Sequence, residues 1–395
     1  MAKAHSSARR AFALALLSAA LIYAVGCGGD DDDGDKTTAE GEVETVTIGL
    51  GPYYDDQLWK VARETGIDQE LGVELEVSDH PESPLKAVIG GDLDFTDSAV
   101  SSGFPVYANF PEYTDWIVTN DFRGFQLIGR AGEVKPYDDY LDENDGDFEA
   151  AKEAFVQNEV EGKSFCIVRS DFVGVVKGLL DEGGVKVDDV EIVDFATDAK
   201  AGAAFAGGEC DFFTGALPEE GRLLTDPDVA GEFVAAAPHE AFGPGKGGLL
   251  FYTTMAGNRD FIDSNPELME KLTAIWYRAA RCLDENPDVV APIVTEAMKP
   301  VTGGEIDEEG TKLILEDFNY YPTFEEAGDY YYAAGENNFA TVSATQFEDF
   351  EATDPEAAEG QEPAEHTVAE DLYNSVAANE ELRDYINGDP LEGGC

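Results

Sequence analysis

The chain has 395 residues, 83 of them Asp or Glu against 25 Lys or Arg, for a formal net charge of -58 at pH 7. With 43% hydrophobic and 11% aromatic residues it can pack a core, which argues against general disorder, and the lack of a basic face argues against nucleic-acid binding. Such a surface repels itself less in about 1 M salt, where the Debye length is about 3 Å, so the acidity reads as adaptation to a saline habitat or, alternatively, as that of an ordinary acidic extracellular protein. Screening also separates net charge from the sign of any ligand.

The N-terminus carries Lys3, Arg9 and Arg10, then the apolar run Ala11 to Val25, then Gly26 and Cys27. This is the pattern of a signal peptide over residues 1–26, and the 15-residue run is shorter than the roughly 20 residues that cross a bilayer. Ala24-Val25-Gly26-Cys27 resembles a lipobox, in which the cysteine becomes acylated and N-terminal. Arg9-Arg10-Ala11-Phe12 reads either as a twin-arginine export signal or as an ordinary one. Residues 27–44, with the run Gly28 to Asp35, form an acidic solvated tether. The expected location is outside the cytoplasm, held to the membrane by lipid on Cys27.

The body of the chain contains a repeat. Gly90-Gly91-Asp92-Leu93-Asp94-Phe95 recurs 117 residues later as Gly207-Gly208-Glu209-Cys210-Asp211-Phe212, and Val73-Glu74-Leu75 recurs as Val190-Glu191-Ile192. Each copy reads as strand, helix, strand, helix, strand. In the first, the strands are Val46–Leu50, 73–77 and Leu93–Ala99, with helices around Leu58–Ala62 and Leu85–Ile89. In the second, they are 164–168, 190–194 and 210–214, with helices near Phe172–Leu180 and Ala199–Ala206. Alternation of this kind predicts parallel strands joined by right-handed crossovers, and two copies predict two α/β lobes.

Residues 100–160 are expected to finish the first lobe and to carry an acidic surface segment at Asp138–Asp147. Gly247–Tyr252 is a further strand candidate. Asn265 and Pro266 open a helix with Leu268, Leu272, Ile275, Trp276, Ala279 and Leu283 on one face. Residues 351–366 read as an exposed connection before a last amphipathic segment around Val368–Ile386. Of the four cysteines beyond the tether, Cys282 and Cys395 are the expected disulfide, since a terminal cysteine is loose unless tied down. Cys166 and Cys210 read as small buried hydrophobes in strands.

These landmarks resemble the periplasmic-type solute-binding proteins of ABC importers, in particular the nitrate/sulfonate/taurine and thiamine-precursor group. The resemblance rests on Thr47-Ile48-Gly49, on Ala62 to Ile67 followed by Leu71-Gly72-Val73-Glu74-Leu75, on the two Gly-Gly-acid-x-Asp elements, and on Asn265-Pro266-Glu267 before a long helix, and it covers roughly residues 45–300. It implies a bilobal type II fold with two parallel-sheet lobes joined by two crossovers. Lobe 1 is expected from 45–130 with about 240–345, lobe 2 from 131–239, and an acidic extension with a last helix from 346–395. The implied function is capture of a small organic solute (a sulfonate, carboxylate or heterocycle) by hinge closure, with a permease and ATPase complex as partner and a monomeric state. A ligand-sensing lipoprotein of the same fold is the alternative.

Candidate ligand contacts lie where strands end, because strand C-termini and helix N-termini converge on the crevice of such sheets. After the first strand come Tyr53 and Tyr54, as an aromatic wall, and Asp55, as a helix cap or a contact for an ammonium group. After the third come Ser98, Ser101 and Ser102, as oxyanion donors or caps. In the second copy, Arg169, Ser170 and Asp171 follow the opening strand, Arg169 pairing either an anionic ligand or one of the nearby acids. Thr197 and Thr214 end the other two strands and are possible donors. Phe242–Gly248, with four glycines, is a possible hinge. His80, His239 and His366 are scattered, and no metal spacing, phosphate loop or nucleophile elbow occurs, so no cofactor and no enzymatic activity are expected. The related thiamine-pyrimidine synthase carries a cysteine-dense motif that is absent from this sequence.

Overall fold

The computed structural model describes residues 43–80, 84–225, 231–243, 249–304, 306–391 and 394–395, apart from the side chains at 170, 171, 225 and 353. The signal peptide, Cys27, the tether to residue 42 and most of the glycine-rich hinge candidate therefore lie outside the described residues. The strands in chain order are β1 (Glu44–Leu50), β2 (Val73–Asp79), β3 (Phe95–Ala99), β4 (Tyr113–Phe122), β5 (Leu127–Arg130), β6 (Ser164–Ile167), β7 (Glu191–Asp194), β8 (Phe212–Phe213), β9 (Phe233–Ala237), β10 (Tyr252–Asn258) and β11 (Asn319–Tyr320). They form two sheets, in the orders β11-β4-β10-β3-β1-β2 and β7-β6-β8-β5-β9. The two sequence repeats thus occupy separate sheets.

In the first sheet β1 pairs in parallel with β2 and β3, and in the second β6 pairs in parallel with β7 and β8. The short helix Leu85–Gly90 turns off at Gly91 with φ 76°, and the equivalent Gly208 has φ 88°, a region that side chains with a Cβ rarely enter. The second glycine of each pair is therefore a backbone requirement.

The chain leaves the first sheet after Phe122 and enters the second at Leu127, then returns between Ala237 and Tyr252. These are the two crossovers. The first comes earlier than the expected boundary at residue 130, because β5 pairs antiparallel with β8 and β9 and so belongs to the second sheet. The return strand is β10 at Tyr252–Asn258, not 247–252. It is buried between β3 and β4, where hydroxyl and small residues fill a position that the apolar pattern does not reveal.

Lobe 1 is centred on the three tryptophans. Trp59, on the helix Leu58–Thr65, lies 5.2 Å from Trp276 of the helix Pro266–Glu285 and 5.8 Å from Trp116 of β4, ring centre to ring centre. All three are essentially inaccessible, and each fully buried large side chain contributes on the order of 2–3 kcal/mol. A smaller core in lobe 2 gathers Ile128, Phe205, Phe213 and Phe233.

Two disulfides tie the structure. Cys282 and Cys395 are joined, fixing the chain end to the helix Pro266–Glu285. Cys166 and Cys210 are buried as expected but bonded to each other, which corrects their reading as lone hydrophobes: the parallel β6–β8 neighbours bring their Cα atoms to 5.7 Å. The segment 351–366 is also more than an exposed connection. The His366 ring stacks on Tyr107 at 3.8 Å and Val368 N–H donates to the Asp115 carbonyl, so it straps lobe 1 before two closing helices, Ala369–Ala378 and Glu380–Ile386.

Candidate functional site at the strand ends of lobe 1

β1 ends at Leu50, and residues 51–57 lead into the helix Leu58–Thr65. β3 passes directly into the helix Val100–Tyr107, and Thr253 of β10 stands beside Ala99 on one side and Asn120 of β4 on the other. Gly51, Ala99, Thr253 and Asn120 therefore line the same end of the sheet. Gly51 permits a close approach there: a Cβ would sit 2.8 Å from Asp97 Oδ2 and 2.9 Å from the Tyr53 ring, so those side chains would have to shift. Its N–H donates to Asp97 Oδ2 at 2.7 Å.

The loop is shaped by donors aimed at its carbonyls. Gln57 Nε2 donates to the Tyr53 carbonyl at 2.7 Å, Asn120 Nδ2 to the Asp55 carbonyl at 3.2 Å, and the Tyr321 hydroxyl to the same carbonyl at 3.0 Å. The acceptor ends of these amides are left over. Gln57 Oε1, Asn120 Oδ1 and Asp56 Oδ1 are all buried and have no hydrogen-bond partner. Asp56 itself is 3% exposed.

Three carboxyl groups influence one another here. Burial, then the charge of Asp97, pushes Asp55 up to about 7, and burial pushes Asp97 up to about 6 despite the Gly51 and Thr96 hydrogen bonds. Asp56 is raised well above the ordinary carboxylate range by burial, then by Asp97 and Asp55. Among the described residues no lysine or arginine pairs with any of the three. Other buried acids nearby are satisfied: Asp115 accepts from Thr254 Oγ1 at 2.7 Å and Tyr107 Oη at 3.0 Å, and Asp121 accepts from Arg123 at 2.9 Å and Tyr330 Oη at 2.8 Å.

The sequence-predicted residues are distributed unevenly about this centre. Tyr53 and Asp55 border it. Tyr54 is 2% exposed and belongs to the core. Asp55 does not cap the following helix, which begins three residues later with Gln57 at the cap position and no side-chain cap bond. Ser98 is half-buried on β3, Ser101 half-buried and Ser102 exposed in the first turn of the next helix.

In lobe 2, Arg169 is exposed and its N–H donates to Asp194 Oδ1 at 3.0 Å. Thr197 caps the helix Asp198–Ala206 by accepting from Lys200 N–H, and Thr214 is wholly buried. The side chains of Ser170 and Asp171 lie outside the described residues. No hydrogen bond or ion pair among the described residues joins Arg169, Thr197 or Thr214 to the lobe 1 carboxyls. Asp56, Gln57, Asp97 and Asn120 were missed by sequence reasoning.

The lobes meet through the Phe125 and Phe172 rings, 6.2 Å apart, and through Lys177, whose Nζ is 2.9 Å from Asp349. Surface hollows of about 510 and 360 Å³ are lined by other residues, the first around Thr47, Arg63 and Leu93, the second along Asp329–Asn338. Asp56 is buried, while Asp55 and Asp97 are half-buried.

No family model matches the sequence, and no curated protein matches it. Solved structures do. The chain is similar to the alkanesulfonate-binding protein SsuA of Xanthomonas axonopodis bound to MOPS (TM-score 0.56, 13% identity, 83% of this chain and 99% of that one). It is similar to the periplasmic nitrate-binding protein NrtA of Synechocystis (TM-score 0.58, 14% identity, 89% and 92%). It is also similar to the ligand-binding component of an ABC-type import system of Staphylococcus aureus with zinc bound (TM-score 0.58, 10% identity, 84% and 99%).

Proposed function

From the periplasmic binding protein fold that this chain has, we propose that it is the extracytoplasmic solute-binding subunit of an ABC importer, lipid-anchored through Cys27. It holds a small organic solute between the lobes and presents the closed form to a permease and its ATPase. The observation that carries this reading is the double crossover between two sheets. A chain that passes twice between its sheets can open and close them about those passages, and the lobe 1 strand ends bear buried acceptors without a partner. The neighbours named above are binding proteins, which supports capture over catalysis. Of the solute classes considered, a heterocycle bearing N–H groups suits the unmet acceptors at the lobe 1 strand ends better than a sulfonate or carboxylate, which brings only further acceptors.

The test is a thermal-shift screen of sulfonates, carboxylates, heterocycles and amines in high salt, followed by small-angle scattering with any compound that binds. A solute at about 100 times its Kd adds roughly 2.7 kcal/mol of stability, and binding should shrink the radius of gyration. A screen with no binder in any class overturns the proposal. Cys27→Ser should move the protein from the membrane fraction to the soluble one, whatever the ligand.

A further inference from the structure

Any solute seated against the lobe 1 strand ends must satisfy what it finds there, and the inventory is one-sided. Asp56 Oδ1, Gln57 Oε1 and Asn120 Oδ1 are buried acceptors with no donor, and the residues bearing them are 3%, 1% and 0% exposed. Asp55 and Asp97 stand beside Asp56 with no cationic partner among the described residues. Leaving buried acceptors unmet costs on the order of 1–3 kcal/mol each, more where the group is charged. A solute with N–H donors and positive charge removes that cost, whereas an anion adds to it.

We propose that the solute is an organic cation carrying N–H donors, an ammonium or amidinium compound, held by Asp56, Asp55 and Asn120 and flanked by Tyr53. The proposal rests on the solute-binding reading and names the substrate class for the same site. The Tyr53 ring lies against Gly51, next to Asp97, where an aromatic face adds attraction for a cation. An inorganic cation fits less well, since among the described residues no group of three His, Cys, Asp or Glu converges as metal ligands. The other buried acids of lobe 1, Asp115 and Asp121, already have their donors, whereas Asp56 keeps an unmet oxygen beside those of Gln57 and Asn120.

The test uses the mature protein in high salt, with calorimetric titration of ethanolamine, agmatine, 4-aminopyrimidine and tetramethylammonium, against isethionate, nitrate, succinate and calcium. The expected result is binding by at least one N–H cation, at least tenfold tighter than tetramethylammonium, and at least tenfold weaker in Asp56→Asn and Asp55→Asn variants that keep the wild-type melting cooperativity. Binding confined to isethionate, nitrate, succinate or calcium overturns the cation proposal while the solute-binding reading stands. So does cation binding that both variants retain at full strength. Binding by none of the compounds overturns both.

Discussion

Asp94 and Asp211 hold the same position in the two lobes and make the same clasp. Asp94 Oδ2 accepts from the N–H and hydroxyl of Thr47 at 2.8 and 2.7 Å, and its own N–H donates to Thr47 Oγ1 at 3.0 Å. Asp211 does this with Ser164, at 2.9, 2.9 and 3.0 Å. In each lobe one carboxylate thus ties the first strand to the turn that delivers the third.

Loss of either clasp should destabilise its own lobe. Asp94→Ala, at a half-buried site, should cost about 1–3 kcal/mol, and Asp211→Ala, whose carboxylate is more exposed, about 1 kcal/mol or less. The two clasps share no partner, so the double variant should lose about the sum. Urea melts of the single and double variants check this, and a double variant no weaker than Asp94→Ala alone would refute independent clasps.

The pH dependence follows from the buried carboxyls of lobe 1. Asp55 and Asp115 are pushed up to about 7 and Asp97 to about 6, all chiefly by burial. The native state therefore holds protons that the unfolded chain, with its Asp pKa of about 3.9, releases. Ionising these groups costs stability in full above about 7, and the cost fades as pH falls towards about 4. In high salt, which screens the surface acids, the melting temperature should rise from pH 8 to pH 5. Asp97→Asn should be more stable than wild type at pH 8 and should flatten that rise. A parallel curve for the variant would count against it.

Lys177 joins Asp181 of its own helix, at 2.5 Å, to Asp349, which follows the return of the chain to lobe 1. Exposed pairs of this kind are worth about 0–1 kcal/mol and weaken with salt. Lys177→Ala should leave folding stability within about 1 kcal/mol of wild type and enlarge the radius of gyration of the unliganded protein at low salt. At about 1 M salt the variant and wild type should scatter alike.

The lobes were legible in the sequence because buried parallel strands are short apolar runs and because helix stops need glycine, so Val46–Leu50, Gly91 and Gly208 declared themselves. β10 did not, since Thr253, Thr254 and Gly257 satisfy their backbone partners without an apolar signature. The site was partly legible: strand ends pointed to Tyr53 and Asp55. Asp56 and Asp97 were hidden by company, because in a chain with 83 acids a carboxylate carries no signal until its burial and missing partners are seen. The Cys166–Cys210 bond was hidden for a different reason, since it depends on β6 and β8 being neighbours in the sheet and not on spacing.

The disulfide at Cys395 and the stacked His366 fasten the last stretch of chain to lobe 1. A fluorophore placed just after Cys395 therefore rides with that lobe, while one on the helix Phe148–Phe155 rides with the other. The energy transferred between the two dyes becomes a ruler for the separation of the lobes.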